Sequence, residues 1–189
     1  MTSSLRIIIT GLIAQHPWLG GITWHYIQYL LGLTRLGHDV YYIEDSGEWP
    51  YTLDGGHSGD DWIAHDCGSN INYLEKVMAR FGFAERWGYH FPIKSQWFGL
   101  PDKQRRDIIQ SADLLINVSG TLVRPEDYRR IPHLLYIDTD PVITQIRLAL
   151  YEENFRHRVD AHDIHFSFGE CLSEEIGRAS CRERVYVLV

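Results

Sequence analysis

The sequence predicts an α/β domain built on an open, doubly wound parallel sheet. Three observations lead there. Short strand-like segments rich in apolar and β-branched residues recur (Leu5–Thr10, Val40–Ile43, Asp113–Val118, His133–Ile137 and Ile164–Phe168), the first of them a continuous apolar run as in strands buried on both faces. Segments with helical periodicity lie between several of them, so successive strands are joined by crossovers and must be parallel. The runs end in small or acidic residues, at the strand ends where open α/β sheets hold their ligands.

The elements follow in order. Leu5–Thr10 is the first strand, closed by Gly11 and followed by a loop rich in Gly and aromatics, 12–21. Ile22 to Leu36 is a helix, with Ile22, Tyr26, Tyr29, Leu33 and Leu36 on one stripe and Gly37 placed to stop it. Val40–Ile43 is the second strand and ends at Glu44-Asp45. From Ser46 to Asp66 the texture turns to Gly, Asp, His and Trp, and a loop of ~20 residues in a compact domain is usually functional or disordered. Asn70 to Phe81 is helical, with Gly82 as its stop, and Tyr89–Leu100 reads as aromatic and irregular. A helix starts at Pro101-Asp102 and runs to about Ser111. The strand Asp113–Val118 ends in Ser119-Gly120, Pro125–Arg129 is a short helix, and the strand His133–Ile137 ends at Asp138-Thr139-Asp140. Asp140-Pro141 caps a helix to about Leu150, Glu152–Asp160 holds a further turn or two, and Ile164–Phe168 is the last strand.

Composition narrows the function classes. The chain has 189 residues and a formal charge of −7, with 44% hydrophobic and 13% aromatic residues, so it can bury a real core. A pI near 5.8 argues against nucleic acid or an anionic membrane as the main partner. No apolar run approaches the ~18 residues of a membrane span. The short run Ile7–Ile9 lacks the length and cleavage site of a signal peptide. Cys67, Cys171 and Cys181 form neither a disulfide framework nor a paired metal motif. A soluble, cytoplasmic protein is expected.

Four segments are expected to converge beyond the strand ends: 15–23, Glu44-Asp45, Ser119-Gly120 and 138–140. Gly20 and Gly21 precede a helix, whose free N–H groups and positive dipole end suit a phosphate or diphosphate; alternatively they serve only the turn. His16, in the same loop, is a candidate general base, or simply a surface histidine beside Pro17. Ser119 and Gly120 are candidate substrate-binding residues, and the acids Glu44, Asp45, Asp138 and Asp140 can hold sugar hydroxyls or orient a base, although Asp140 reads better as the cap of the helix behind it. His57, Asp60, Asp61, His65, Asp66 and Cys67 match no standard metal-ligand spacing, so no metal site is expected. Trp49, Tyr51 and Trp62 are placed to stack on a planar or sugar ligand, or to anchor the loop.

Arg6–Leu12, Gly20–Trp24 and Tyr29–Tyr42, with Leu33–Val40 reading L-x-x-L-G-H-D-V, resemble the N-terminal domain of GT-B glycosyltransferases of the bacterial family-1-like or family-4-like kind. Ser111–Gly120 and His165–Gly169 resemble later strands of that domain, and the likeness spans about residues 5–170. It implies one Rossmann-like half of a two-domain enzyme. Such an enzyme transfers sugar from a nucleotide-activated donor to a small-molecule or glycan acceptor. The nucleotide-sugar is then a co-substrate, and no metal or other cofactor is obligatory. By the same resemblance this half faces the acceptor, the Gly20-Gly21 loop faces the donor diphosphate, and His16 lies where inverting members keep a catalytic histidine. The family's donor-binding segment has no counterpart here. Residues 175–185 resemble the conceptual translation of a sequencing adapter, so 1–174 is read as the domain and 175–189 as a non-native tail, with the C-terminal domain missing and the fragment inactive alone. Two other readings stay open. One is a non-catalytic sugar- or nucleotide-binding domain. The other is a nucleotide-dependent oxidoreductase or epimerase, disfavoured because the first loop lacks the dinucleotide glycine fingerprint although Glu44 ends the second strand.

Overall fold

The computed structural model describes residues 3–52, 63, 66–150 and 152–169, and the backbone of Val185–Val187. The first strand and helix are β1 (Arg6–Thr10) and α1 (Gly20–Arg35), followed by β2 (Asp39–Glu44) and α2 (Gly68–Arg80). A hairpin of β3 (Trp87–Phe91) and β4 (Gln96–Gly99) leads to α3 (Asp102–Ser111) and β5 (Leu114–Val118). A 3-10 turn at Pro125–Tyr128 precedes β6 (His133–Asp138), α4 (Pro141–Ala149), α5 (Glu153–Asp160) and β7 (Ile164–Ser167). The described strands form one sheet in the order β4-β3-β2-β1-β5-β6-β7, to which Val185–Val187 adds β8. Every pairing is parallel except β3 with β4. The expected open, doubly wound, Rossmann-like sheet is what the chain forms.

Alternation along the strands sends side chains to two cores. Ile7, Ile9 and Tyr42 meet Tyr26, Ile27 and Leu30 of α1 and Leu74 and Met78 of α2. Ile8, Tyr41, Ile43 and Leu115 meet Ile108 of α3 and Tyr128 and Ile131 around the 3-10 turn. Tyr136 of β6 packs with Leu148 of α4 and Phe155 and Val159 of α5. Ile8, Ile9 and Ile43 are wholly buried, and burial of such a side chain is worth about 2 kcal/mol. The two glycine stops behave as expected: Gly37 and Gly82 have φ of 90° and 86°, the left-handed conformation that ends a helix without a Cβ penalty.

The segment Tyr89–Leu100, read as irregular, is instead the antiparallel hairpin at the sheet edge. Trp87, Tyr89 and Phe91 alternate into the core, and Pro92–Ser95 forms the turn. The clustered aromatics and the proline hide that period of two. Helix boundaries also move slightly, and Gly20 and Gly21 lie inside the first turn of α1. His57, Asp60, Asp61, Trp62, His65, Cys171 and Cys181 lie outside the described residues. In the segment read as a non-native tail, the described Val185–Val187 pairs parallel with β7, as Val-Tyr-Val favours. Among the described residues no helix is long and apolar enough to cross a membrane.

Candidate functional site

The strand order reverses between β1 and β5. From there the chain winds outward to β2 and β3 on one side and to β6 and β7 on the other, the place where open sheets of this kind hold ligands in a crevice beyond the strand ends. Four pieces of chain border it: the β1–α1 loop, the start of α1, the β5 end and the β6 end.

The β1–α1 loop is fixed from below by Glu44. Its Oε2 accepts from the Ala14 amide (2.8 Å) and the Tyr42 hydroxyl (2.6 Å), and its Oε1 from the Gln15 amide (2.7 Å). Tyr42 also accepts from the Ile13 amide. Burial pushes the Glu44 carboxyl up to about 7, against the opposing pull of Tyr42 and the amides. From the side, the buried Asn70 amide donates to the carbonyls of Ala14 (2.7 Å) and Tyr51 (2.9 Å). Gly11 is obligatory, since a Cβ there would come within 2.7 Å of the Tyr26 ring and 2.8 Å of the Tyr42 hydroxyl. Glu44 therefore holds the loop in shape and turns no oxygen toward the crevice.

On the other side, Asn117 ties β5 to β1. Its Oδ1 accepts from Thr10 Oγ1 and the Leu122 amide, both at 3.0 Å, and its Nδ2 donates to His162 Nε2 at 3.1 Å. The His162 Nδ1–H donates to the Arg158 carbonyl (3.0 Å), which fixes the tautomer. A second ring proton would face the Asn117 amide hydrogens. Burial, which dominates, lowers the His162 pKa to about 4.

Above these supports, at the mouth, Ser119 takes a left-handed conformation (φ 60°). That brings its Oγ to 2.6 Å from Thr139 Oγ1 and 3.3 Å from His25 Nε2. Burial lowers the pKa of the half-buried His25, so at neutral pH it is an uncharged imidazole. Gly120 follows with φ 64°, and a Cβ there would lie 2.7 Å from the Tyr136 hydroxyl. The start of α1 has neither a side-chain cap nor an acidic residue in its first turn, which leaves N–H groups free. Gly20 and Gly21 are exposed with open space around them.

The structure thus joins Ser119 to Thr139, in the expected 138–140 segment, and to His25, which lies outside the four expected segments. The signal for His25 was its place four residues after Gly21, on the same helix face. The other candidates go elsewhere. His16 is half-buried and stacks on Tyr51 (4.8 Å, 19°), with its pKa lowered by burial; among the described residues no carboxylate orients it. Asp45 is held by His90 Nδ1 (2.7 Å) and the Tyr128 hydroxyl (2.9 Å). Asp138 accepts from the Thr144 and Ser167 hydroxyls and the Asp140 amide, and burial raises its pKa. Asp140 stands at the N-cap position of α4, as expected, but its side chain makes no capping bond; Asp138 braces the start of that helix through the Asp140 amide and the Thr144 hydroxyl. Of the aromatic trio, Tyr51 serves the loop. Among the described residues no group of His, Cys, Asp and Glu could hold a metal.

Comparison with protein-family models and with curated proteins finds no match. A cavity of about 540 Å³, lined by Ile71, Glu75, Glu85, Trp87, Phe98 and Gln104 among others, lies toward the amino end of β3, away from the crevice. The reversal point is the stronger candidate, because it collects the uncapped start of a helix, two hydroxyls and an imidazole. Those groups can bind a polyhydroxylated or phosphorylated ligand, and the imidazole can accept a proton from a hydroxyl.

Proposed function

We propose that this domain is the acceptor-side half of a glycosyltransferase that moves a sugar from a nucleotide-activated donor to a hydroxyl acceptor. The observation that carries the reading is the set His25, Ser119 and Thr139 at the reversal point, beside the uncapped start of α1 with its exposed glycines. Neutral hydroxyl and imidazole groups suit sugar hydroxyls, and the α1 amides suit a diphosphate. The resemblance of Arg6–Tyr42 to GT-B enzymes supplies the reaction class. In this reading a second, nucleotide-binding domain completes the cleft, and the 189 residues alone bind ligand without turnover.

His25 is the better base within this reading, since Ser119 holds its ring at the crevice while His16 stacks against Tyr51. The test is a sugar-transfer assay on a protein carrying this domain together with a nucleotide-binding partner domain, using a panel of nucleotide-sugars. His25→Ala should lower kcat by roughly 100-fold or more, the usual worth of a positioned base, while His16→Ala should cost less. Transfer by the 189-residue chain alone, or transfer indifferent to His25, contradicts the proposal. Saturable sugar or nucleotide binding without transfer, even with both domains present, would favour a non-catalytic binding domain. The crevice's polar groups would serve that role equally well.

A further inference from the structure

A second cluster lies at the carboxyl end of β2 and β3, apart from the crevice. Asp45 Oδ1 sits 2.7 Å from His90 Nδ1, and His90 Nε2 sits 3.3 Å from Ser95 Oγ. We propose that Asp45, His90 and Ser95 form a nucleophilic serine unit that accepts acyl groups from activated esters. The proposal does not depend on the glycosyltransferase reading.

The roles follow from the hydrogen bonds. Tyr128 donates to Asp45 Oδ2, so both carboxylate oxygens are engaged and the group is fixed. Burial alone would raise the Asp45 pKa, but the hydrogen bonds from His90 and the Tyr128 hydroxyl bring it below the usual range. A carboxylate at Nδ1 keeps the ring proton there and leaves the Nε2 lone pair facing the Ser95 hydroxyl, the order of parts in a serine nucleophile. His90 and Asp45 are nearly buried, with side-chain exposures of 11% and 10%, whereas Ser95 is exposed. The imidazole lies flat on Trp97 (4.8 Å, 17°), and the Arg105 guanidinium lies 4.1 Å from the same indole, which restricts ring rotation. Ser95 itself has φ 47°. That left-handed conformation costs a serine about 1 kcal/mol, and glycine or asparagine would adopt it more easily. A strained, exposed serine aimed at an oriented histidine is spent poorly on turn formation alone.

In the reaction, Ser95 Oγ bonds to the ester carbonyl carbon while its proton passes to His90 Nε2. Collapse of the adduct breaks the bond to the leaving oxygen, which takes that proton. Water then repeats the exchange and releases the carboxylic acid. Ser95 is exposed on the turn of the hairpin, and the substrate class we assign is a small ester with a good leaving group.

The test uses p-nitrophenyl acetate and a fluorophosphonate probe on the 189-residue chain, with adducts located by peptide mass mapping. The expected result is one equivalent of acyl or phosphonyl group on Ser95, formed roughly 100-fold faster than in His90→Gln. Asp45→Asn should slow labelling and Asp45→Glu should restore part of it, a rescue that a purely structural carboxylate would not give. Ser95→Gly relieves the backbone strain, so it keeps the fold and should abolish the adduct. Label on other residues with Ser95 unmodified, or labelling of Ser95 unchanged in folded His90→Gln, overturns the proposal.

Discussion

Glu44, on the β2 side of the crevice, and Asn117, on the β5 side, are both fully buried, yet each supports its half by different means. Glu44 gathers three donors, two of them main-chain amides of the β1–α1 loop, and so shapes a loop with a single group that can carry charge. Asn117 is neutral and ties side chains and one amide from four places: Thr10, Thr121, Leu122 and His162. The ionisable pin holds backbone and responds to pH through its own titration. The amide pin holds strands together and responds only through the histidine it engages. Ser119, His25 and Thr139 are only half-buried, which separates candidate site from scaffold.

The largest contrast should come from deleting the pins. Glu44→Ala leaves three buried donors without an acceptor and should cost about 4 kcal/mol in denaturant melts. Asn117→Ala should cost about 3 kcal/mol, because one hydroxyl of Thr10 and Thr121, 2.9 Å apart, can still donate to the other. Equal costs would erase the distinction. Gly120→Ala, at the crevice mouth, adds a left-handed penalty and a clash with Tyr136 and should cost about 2 kcal/mol by the same measurement.

The pH responses should run in opposite directions. The Glu44 pKa is raised in the fold, so its contribution is full below its ordinary 4.5 and lost as pH rises through about 7. The His162 pKa is lowered, so its contribution is full above 6.5 and lost as pH falls through about 4. Melting temperature against pH, compared with Glu44→Gln and His162→Gln, should show the Glu44 slope on the alkaline side and the His162 slope on the acid side. A wild-type curve parallel to both variants would remove the contrast. Gly20→Ala and Gly21→Ala give the smallest effect. With open space around both positions, stability should rise by up to about 0.5 kcal/mol. A simultaneous loss of ligand affinity would show that these glycines serve close approach rather than the turn.

The fold was legible because its signals are local. Ile7–Ile9 and Leu114–Ile116 are apolar runs buried on both faces of the sheet, and Gly37 and Gly82 stop their helices by backbone conformation alone. The β3–β4 hairpin was not legible, as aromatic residues on both faces blur the alternation. The site was legible only in outline. The strand-end segments were placed correctly, but which way each carboxylate turns depends on partners distant in sequence. Glu44 meets Ala14 and Gln15, Asp45 meets His90 and Tyr128, and Asp138 meets Thr144 and Ser167. No local spacing encodes those pairings, and for the same reason His16 stood out in the sequence while His25 did not.

The central claim is that ligand enters where the sheet reverses, above both pins. Amide and side-chain NMR shifts of the labelled chain, followed during titration with nucleotide-sugars and free sugars, test it most directly. The account predicts saturable shifts centred on Gly20, Gly21, His25, Ser119 and Thr139. Saturable shifts confined to the cavity beside Trp87 and Phe98, with those five residues still, would contradict it.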